Sequence, residues 1–266
     1  MARIPNAADF GMRLVEGGLN PRQRAGGIRN SLLSSMRESP FFTGIFDDFT
    51  VDTLSTFNWA VDGDTGTTSF AVPAAASAIA GGGITGTTAA DNNEAISIYG
   101  HPVWSGDKNC GMLVTAKFDV VTNMFFETGF TDPLTDYTLP AINDIDTPSI
   151  TNGAVTVATL TMDTSQTLTT AALITDGDAT YATAKTQPTS AWSPTAATEF
   201  TAVIQCIGDT AVCAVFDANY SRVFKIASVS GFEGGTAVQP WFIVGNRTTS
   251  AIVPVIRRLW VWGDKA

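Results

Sequence analysis

The carboxylates of the sequence are the first residues that could do chemistry. Pairs of aspartates separated by one residue occur in three segments, VDGDTG (61–66), NDIDTP (143–148) and TDGDAT (175–180). Oxygen-rich loops of this kind can ligate Ca²⁺, and Asp62 and Asp64 are the candidate metal ligands of the first segment. A calcium loop of the EF-hand type needs a glutamate at its twelfth position, where this sequence has Pro73. Aspartate and glycine are also the residues that tight turns require, so we predict turns here, with no metal and no cofactor.

His101 is the single histidine of the chain. A histidine-based triad needs a nucleophile and an orienting acid, and the neighbouring GHPVWSGD segment offers Ser105 and Asp107. Closeness in sequence does not bring these groups together in space, so we predict a histidine at the end of a strand. The sequence also lacks a zinc-type cluster of cysteine and histidine and the phosphate-binding G-x-x-x-x-G-K-[ST] motif. We therefore predict that the protein is not an enzyme.

Three cysteines, Cys110, Cys206 and Cys213, are too few for a disulfide framework. A bridge between Cys206 and Cys213 across a hairpin remains an alternative, but reduced and buried thiols are the favoured interpretation, and they fit folding in a host cytoplasm. The first residues contain no apolar signal-peptide core, and no apolar run approaches the roughly 18 residues of a membrane span. We expect no secretory signal and no membrane contact.

Tryptophan side chains could stack on sugar rings. Trp260 and Trp262 are two residues apart in a predicted strand, so they should share one face, and we predict that they lie in the core. Trp104 and Trp192 stand beside glycine, serine and proline in predicted loops. They are the candidate glycan contacts.

These side chains must be positioned by β-strands. From Ile45 onward, short runs of β-branched and aromatic residues alternate with clusters of Gly, Asp, Asn, Pro and Thr, a pattern typical of a sandwich or barrel. About twelve strands are predicted, which suits two stacked antiparallel sheets better than one sheet. Two long stretches, 74–93 and 131–149, are predicted to be surface loops, where function often resides.

Residues 1–44 differ from this body. Glycine and proline interrupt them, and only one short helix is predicted, at 29–39. Six arginines and three acids give them a net charge of +3, so the total of −10 leaves −13 on residues 45–266. We predict an extended N-terminal arm that orders on an acidic partner. The candidate partner-binding residues of the arm are Arg3, Arg13, Arg22, Arg24, Arg29, Leu32, Leu33, Met36 and Arg37.

The last third of the chain carries a distinctive order of elements. EFTAVIQCIGDTAVCAVFDANYSRVFKI reads as a strand, a tight turn, a strand ending at Asp217, a turn containing Asn219 and a further strand, and FIVGNR and VIRRLWVWG follow. Together with the opening FDDFTVDTLSTFNWAV, this order resembles the concanavalin A-like lectin/glucanase jelly roll, including laminin-G-like domains, over residues 45–264. The resemblance implies an all-β, two-sheet antiparallel jelly-roll sandwich at 45–266, with the arm at 1–44.

Many members of that family hydrolyse or bind glycans. Its glucanases carry carboxylates in an E-x-D-x-x-E pattern on one strand, where an acid and a nucleophile can flank a glycosidic bond. This chain has no such triplet. Glu127 in FFETGFTD is the nearest match, and only Asp132 follows it. The resemblance therefore does not extend to glycosidase activity.

The abundance of Thr, Ala and Gly resembles the virion proteins of tailed phages, in which lectin-like jelly rolls occur as decoration proteins and fibre modules. We predict a virion structural protein, a phage capsid decoration (cement) protein anchored through its arm. It would form a homo-oligomer and contact the major capsid protein or neighbouring copies. An arm charge of only +3 argues against a coat protein that binds nucleic acid directly. The alternative is a glycan-binding attachment module of a head or tail fibre.

Overall fold

The structure is a computed structural model. It describes residues 42–50, 53–74, 79, 82–145, 149–150, 152–165, 171–177, 184–186 and 192–264. The predicted helix at 29–39 and all nine candidate residues of the arm lie outside these ranges. The first strand begins at Phe42, three residues before the predicted start of the body. Within the described ranges, no helix has the length and hydropathy of a membrane span.

The described residues form two large antiparallel sheets and one small hairpin. The eight-stranded sheet contains β1 (Phe42–Asp47), β3 (Thr68–Ala71), β4 (Ile84–Thr87), β6 (Gly111–Phe118), β13 (Phe200–Ile207), β14 (Thr210–Phe216), β15 (Arg222–Ser230) and β17 (Pro254–Asp264). The seven-stranded sheet contains β2 (Ala60–Gly63), β5 (Ala95–Tyr99), β7 (Met124–Thr131), β10 (Val157–Asp163), β11 (Ala172–Asp176), β12 (Ala184–Thr186) and β16 (Gln239–Asn246). The hairpin pairs β8 (Ile142–Asp144) with β9 (Ser149–Ile150).

Strands that are distant in sequence are neighbours in both sheets. The order of the eight-stranded sheet is β15-β14-β13-β6-β17-β4-β3, and β1 pairs with β17 beyond the short β4. The order of the seven-stranded sheet is β12-β11-β10-β7-β16-β5-β2. Because the first and last strands pair and consecutive strands often lie in different sheets, the predicted two-sheet antiparallel jelly-roll sandwich is confirmed. Two details differ, since the predicted loop at 74–93 contains β4 and the predicted loop at 131–149 contains β8.

The core between the sheets follows from the two-residue period of the strands. In β6, Met112, Val114, Ala116 and Phe118 all point inward and are buried. Phe118 contacts the aromatic rings of three other strands at centroid distances of 5.4–6.4 Å. All three cysteines are buried and free, as predicted. This packed core between the two sheets fixes the positions of the strand ends, from which the loops extend.

Trp104 and Trp192 belong to this core, so their prediction as surface contacts is wrong. Their exposed fractions are only 5% and 9%. The Trp104 backbone forms a bridge with Val238, and the Trp192 ring lies 5.3 Å from that of Phe200. Both residues lie beside loop segments. Backbone bonds of Trp104 to Val238 and of Trp192 to Ala171 hold them against the sandwich, and both indoles are buried.

Trp260 and Trp262 share a face, as predicted, but it is not the face between the sheets. Leu259 and Val261 point into that core, so alternation directs the two tryptophans to the outer side of the eight-stranded sheet. Trp262 is buried there and donates from Nε1 to Gln205 Oε1 at 2.9 Å. The prediction that both tryptophans pack in the core between the sheets is therefore wrong, because they lie on the outer face of the eight-stranded sheet.

Candidate functional site

The paired aspartates at 61–66 accept hydrogen bonds from backbone N–H groups. Asp64 Oδ2 accepts the Ala95 N–H at 2.8 Å, and Asp62 Oδ1 accepts the Gly63 N–H at 2.8 Å. The Thr67 hydroxyl donates to Asp64 O, which closes the turn between β2 and β3. The turn prediction for this segment is confirmed. Among the described residues, no group of three or more His, Cys, Asp or Glu side chains could hold a metal ion.

Glu127 lies in the middle of β7 and points to the outer face of the seven-stranded sheet. Residues 132–145 and 152–156 cover that face, and the Glu127 side chain is completely buried beneath them. Its Oε2 accepts the Ala141 N–H at 3.0 Å and the Trp241 indole N–H at 3.2 Å, and its Oε1 accepts the Ile142 N–H at 2.8 Å. Burial raises the pKa of this carboxyl to about 7, although the three hydrogen bonds oppose that shift.

Asp132 fixes the same covering segment at its ends. Its carboxylate accepts the backbone N–H groups of Val155 and Thr156 at 3.0–3.2 Å. Glu127 and Asp132, the nearest match to the glucanase pattern, therefore both bind the backbone of residues 132–156. The arrangement holds a loop in place over the face to which Glu127 points.

An open cavity of about 250 Å³ lies beside this covered face, at the end of β5. Its principal walls are Tyr99 and Tyr137, whose rings stack with centroids 3.8 Å apart and planes 13° from parallel. Trp59 is almost fully buried and forms part of the lining. We call this the tyrosine cavity. Its full lining is Thr56, Asn58, Trp59, Ala60, Tyr99, Gly100, His101, Pro102, Pro133, Tyr137 and Gln239.

The polar groups of the tyrosine cavity are hydroxyl, amide and imidazole groups that can form hydrogen bonds. The Tyr137 hydroxyl lies 3.3–3.4 Å from the side-chain amide atoms of Gln239. His101 Nε2 donates to Phe57 O at 2.9 Å. Burial raises the pKa of Tyr99, and Tyr137 and Asp62 add to the shift, so this hydroxyl stays protonated. Since no Asp, Glu, Lys or Arg lines the cavity, it suits a neutral ligand with both hydroxyl groups and an apolar face.

Exposed apolar side chains gather at the same place. Among the described residues, the large hydrophobic side chains that are exposed are Phe57, Val103 and Leu139, with exposed fractions of 84%, 69% and 47%. Each is within two residues in sequence of a lining residue, and Phe57 and Val103 both bond to the His101 segment through their backbones. Exposed apolar groups that cluster around a cavity are typical of a binding surface.

Sequence reasoning did not identify the two tyrosines. Tyr137 lies in the stretch 131–149, which was predicted to be a functional loop, and Tyr99 directly precedes the GHP segment at the predicted end of a strand. His101 does lie just beyond that strand end, as predicted. The sequence indicated a loop that contains Tyr137 and a strand end beside Tyr99, but nothing in it indicated that these two segments meet in space.

Known structures share the fold of this chain. A protein of unknown function from Shewanella oneidensis MR-1 has a TM-score of 0.59 at 10% identity, covering 92% of this chain and 94% of that chain. The Lotus tetragonolobus seed lectin has a TM-score of 0.55 at 10% identity, covering 84% and 100%. The exoplasmic/lumenal domain of VIP36, bound to Ca²⁺ and mannose, has a TM-score of 0.54 at 10% identity, covering 82% and 88%.

These similarities establish the fold. The chain is a concanavalin A-like sandwich of the kind found in lectins, as the sequence resemblance implied. No protein-family model and no curated protein sequence matches the chain.

Proposed function

We propose that this protein is a carbohydrate-binding module and that the tyrosine cavity is its glycan site. The observation that carries the proposal is the convergence of ring-lined walls, neutral polar groups and exposed apolar side chains at one opening. Trp104 and Trp192 have no part in this site, because both are buried in the core.

The chemistry of the cavity matches that of a neutral sugar. A sugar ring has an apolar C–H face that packs on aromatic side chains, and it has hydroxyl groups that need hydrogen-bond partners. Tyr99 and Tyr137 offer aromatic surface, and Asn58 and Gln239 offer amide groups that both donate and accept. A volume of about 250 Å³ is smaller than that of typical drug-binding pockets, which favours one sugar unit of a longer glycan.

The comparisons support the proposal at the level of the fold. VIP36 is recorded with Ca²⁺ and mannose, and the Lotus protein is a seed lectin. Asp62 and Asp64 bind the backbone of their own turn and its neighbouring strand. We therefore expect glycan binding here to be independent of Ca²⁺, and binding without hydrolysis, because the buried Glu127 is closed off by the covering segment.

The test is a glycan array, repeated with and without EDTA, followed by titration of the best ligand. Tyr137→Ala should weaken binding by about fivefold, since aromatic packing of this kind is worth about 1 kcal/mol. Tyr220→Ala removes a tyrosine near the other sheet and should leave binding unchanged. The absence of saturable binding, or equal binding by the Tyr137 variant, would show that the cavity is not a glycan site.

We also propose that the module belongs to a phage virion, as a capsid decoration (cement) protein anchored through residues 1–44 and assembled as a homo-oligomer. The separation of charge along the chain supports this, with +3 on the arm against −13 on the body. Deleting residues 1–44 should leave a folded sandwich that no longer binds the particle. Particle binding that survives the deletion would refute the anchoring role.

A further inference from the structure

The outer face of the eight-stranded sheet is apolar and buried. Leu113, Val203, Val212, Ala214 and Phe216 all point away from the core between the sheets, and none is more than 5% exposed. An antiparallel sheet that faces water on one side normally carries polar residues there. This face therefore has the composition and the burial of an internal surface.

Three uncharged polar side chains of the face are satisfied within the sheet. The Thr115 and Thr201 hydroxyls lie 2.9 Å apart on neighbouring strands. Gln205 donates to Asn109 O at 2.7 Å and accepts from Trp262 at 2.9 Å. Because these groups hydrogen-bond to one another within the sheet, they do not need water as a partner. An apolar layer can therefore cover them.

The apolar side chains form a continuous row. Strand register aligns Ala214 with Val203, Val203 with Leu113, Leu113 with Trp260 and Trp260 with Phe46. This row crosses five strands and is about 19 Å long at the usual strand spacing. A single segment lying across the strands would contact all of it.

The described residues do not supply the cover. The described residues form two apolar clusters, one between the sheets and one beneath the segment that covers Glu127. Leu113, Val203, Val212, Ala214 and Phe216 belong to neither cluster. The layer that buries them must therefore come from outside the described ranges.

We infer that residues 1–41 of the same chain form this third layer, docked on the outer face of the eight-stranded sheet. The undescribed stretches within the body are each at most six residues long, whereas this segment has 41 residues. Its end is also in the right place, because Phe42 pairs with Asp264 and Gly44 pairs with Trp262 at the border of the face. The segment thus enters directly beside the surface that needs a cover.

The composition of the segment fits that surface. It contains apolar residues throughout, among them Phe10, Leu14, Leu32, Leu33 and Met36. Covalent attachment at Phe42 gives it a high effective concentration at its own sheet, which a neighbour's segment would have to overcome. This inference goes beyond glycan binding, and it means that anchoring to a particle would require the arm to leave the face.

Photo-crosslinking in the full-length protein tests the inference. Trp260→p-benzoylphenylalanine places the probe in the middle of the row, and Phe57→p-benzoylphenylalanine is the control at the tyrosine cavity. Irradiation of the Trp260 variant should join the probe to peptides from residues 1–41 at the mass of one chain. Crosslinks to those peptides at the mass of two chains, or to body peptides alone, would overturn the inference.

Thiol labelling gives a second measurement. In the full-length protein, Val203→Cys should react with a maleimide far more slowly than Val103→Cys, which is exposed. Removing residues 1–41 by a protease site placed before Phe42 should raise the Val203→Cys rate by at least about tenfold, since the group would no longer depend on local opening. Equal rates for the two variants in the full-length protein would show that no layer covers the face.

Discussion

Replacing Glu127 with glutamine should remove a defined part of the pH dependence of stability. Burial raises the pKa of Glu127 from 4.5 to about 7 in the folded protein, so between these values the folded chain binds a proton that the unfolded chain has released. The free energy of unfolding then falls as pH rises through this window. At 1.36 kcal/mol per pKa unit, the loss is about 3 kcal/mol, and most of it occurs between pH 5 and pH 8.

Glu127→Gln cannot titrate, so it lacks this loss. The glutamine oxygen can still accept from Ala141 and Trp241, but its amide group faces the Ile142 N–H and leaves that donor unsatisfied. One buried unsatisfied donor costs about 1–3 kcal/mol at every pH. At pH 5 the wild-type carboxyl is protonated and presents its own hydroxyl to the same donors, so the difference in free energy of unfolding should shift in favour of Glu127→Gln by most of the loss of about 3 kcal/mol between pH 5 and pH 8.

Urea unfolding followed by tryptophan fluorescence at pH 5, 6, 7 and 8 measures this difference. All other ionisable groups are common to both proteins, so their contributions cancel. Asp136→Asn provides the baseline for a carboxyl-to-amide exchange at an exposed position. A difference between wild type and Glu127→Gln that stays constant across the range would refute the reasoning, because it would mean that the three hydrogen bonds fully offset the burial of the charge.

Three further outcomes are expected. Gly129→Ala should lower the free energy of unfolding by about 3 kcal/mol or more, because φ is +146° there and a methyl group would overlap Ala158 O. Gly208→Ala, at a φ of +53° and with open space around it, should lower it by about 1 kcal/mol. Urea unfolding compares the two variants. Arg247→Lys should cost about 1–2 kcal/mol in the same assay by breaking the two-point contact with the buried Asp163, and unchanged stability would contradict this. The three buried thiols should not react with a thiol reagent at pH 8 until urea unfolds the protein, and reaction in the folded state would show that a cysteine is accessible.

Local patterns predicted the type of fold well, because they depend on neighbours in sequence. Alternating hydrophobic residues identified strands, and their number implied two sheets. The spacing of Trp260 and Trp262 correctly placed both on one face. It could not select between the two faces, since that choice depends on which side of β17 meets the second sheet.

The errors at Trp104 and Trp192 have the same origin. Glycine, serine and proline around them correctly indicated irregular backbone, but irregular backbone does not determine the direction of a side chain. A backbone bridge to Val238 holds Trp104, and the Trp192 indole contacts the rings of Phe126, Phe200 and Phe224. Burial was decided by strands that lie far away in sequence.

The sequence by itself determined the antiparallel sandwich, the turn chemistry of Asp62 and Asp64, and the contrast in net charge between residues 1–44 and residues 45–266. Only the tertiary structure assembled the tyrosine cavity, because Trp59, Tyr99, Tyr137 and Gln239 come from four separate segments that strand order and the covering loop bring together. Tertiary structure also gave Glu127 its role. The same carboxylate that looks catalytic in a sequence becomes a buried acceptor once a loop donates its backbone N–H groups to it.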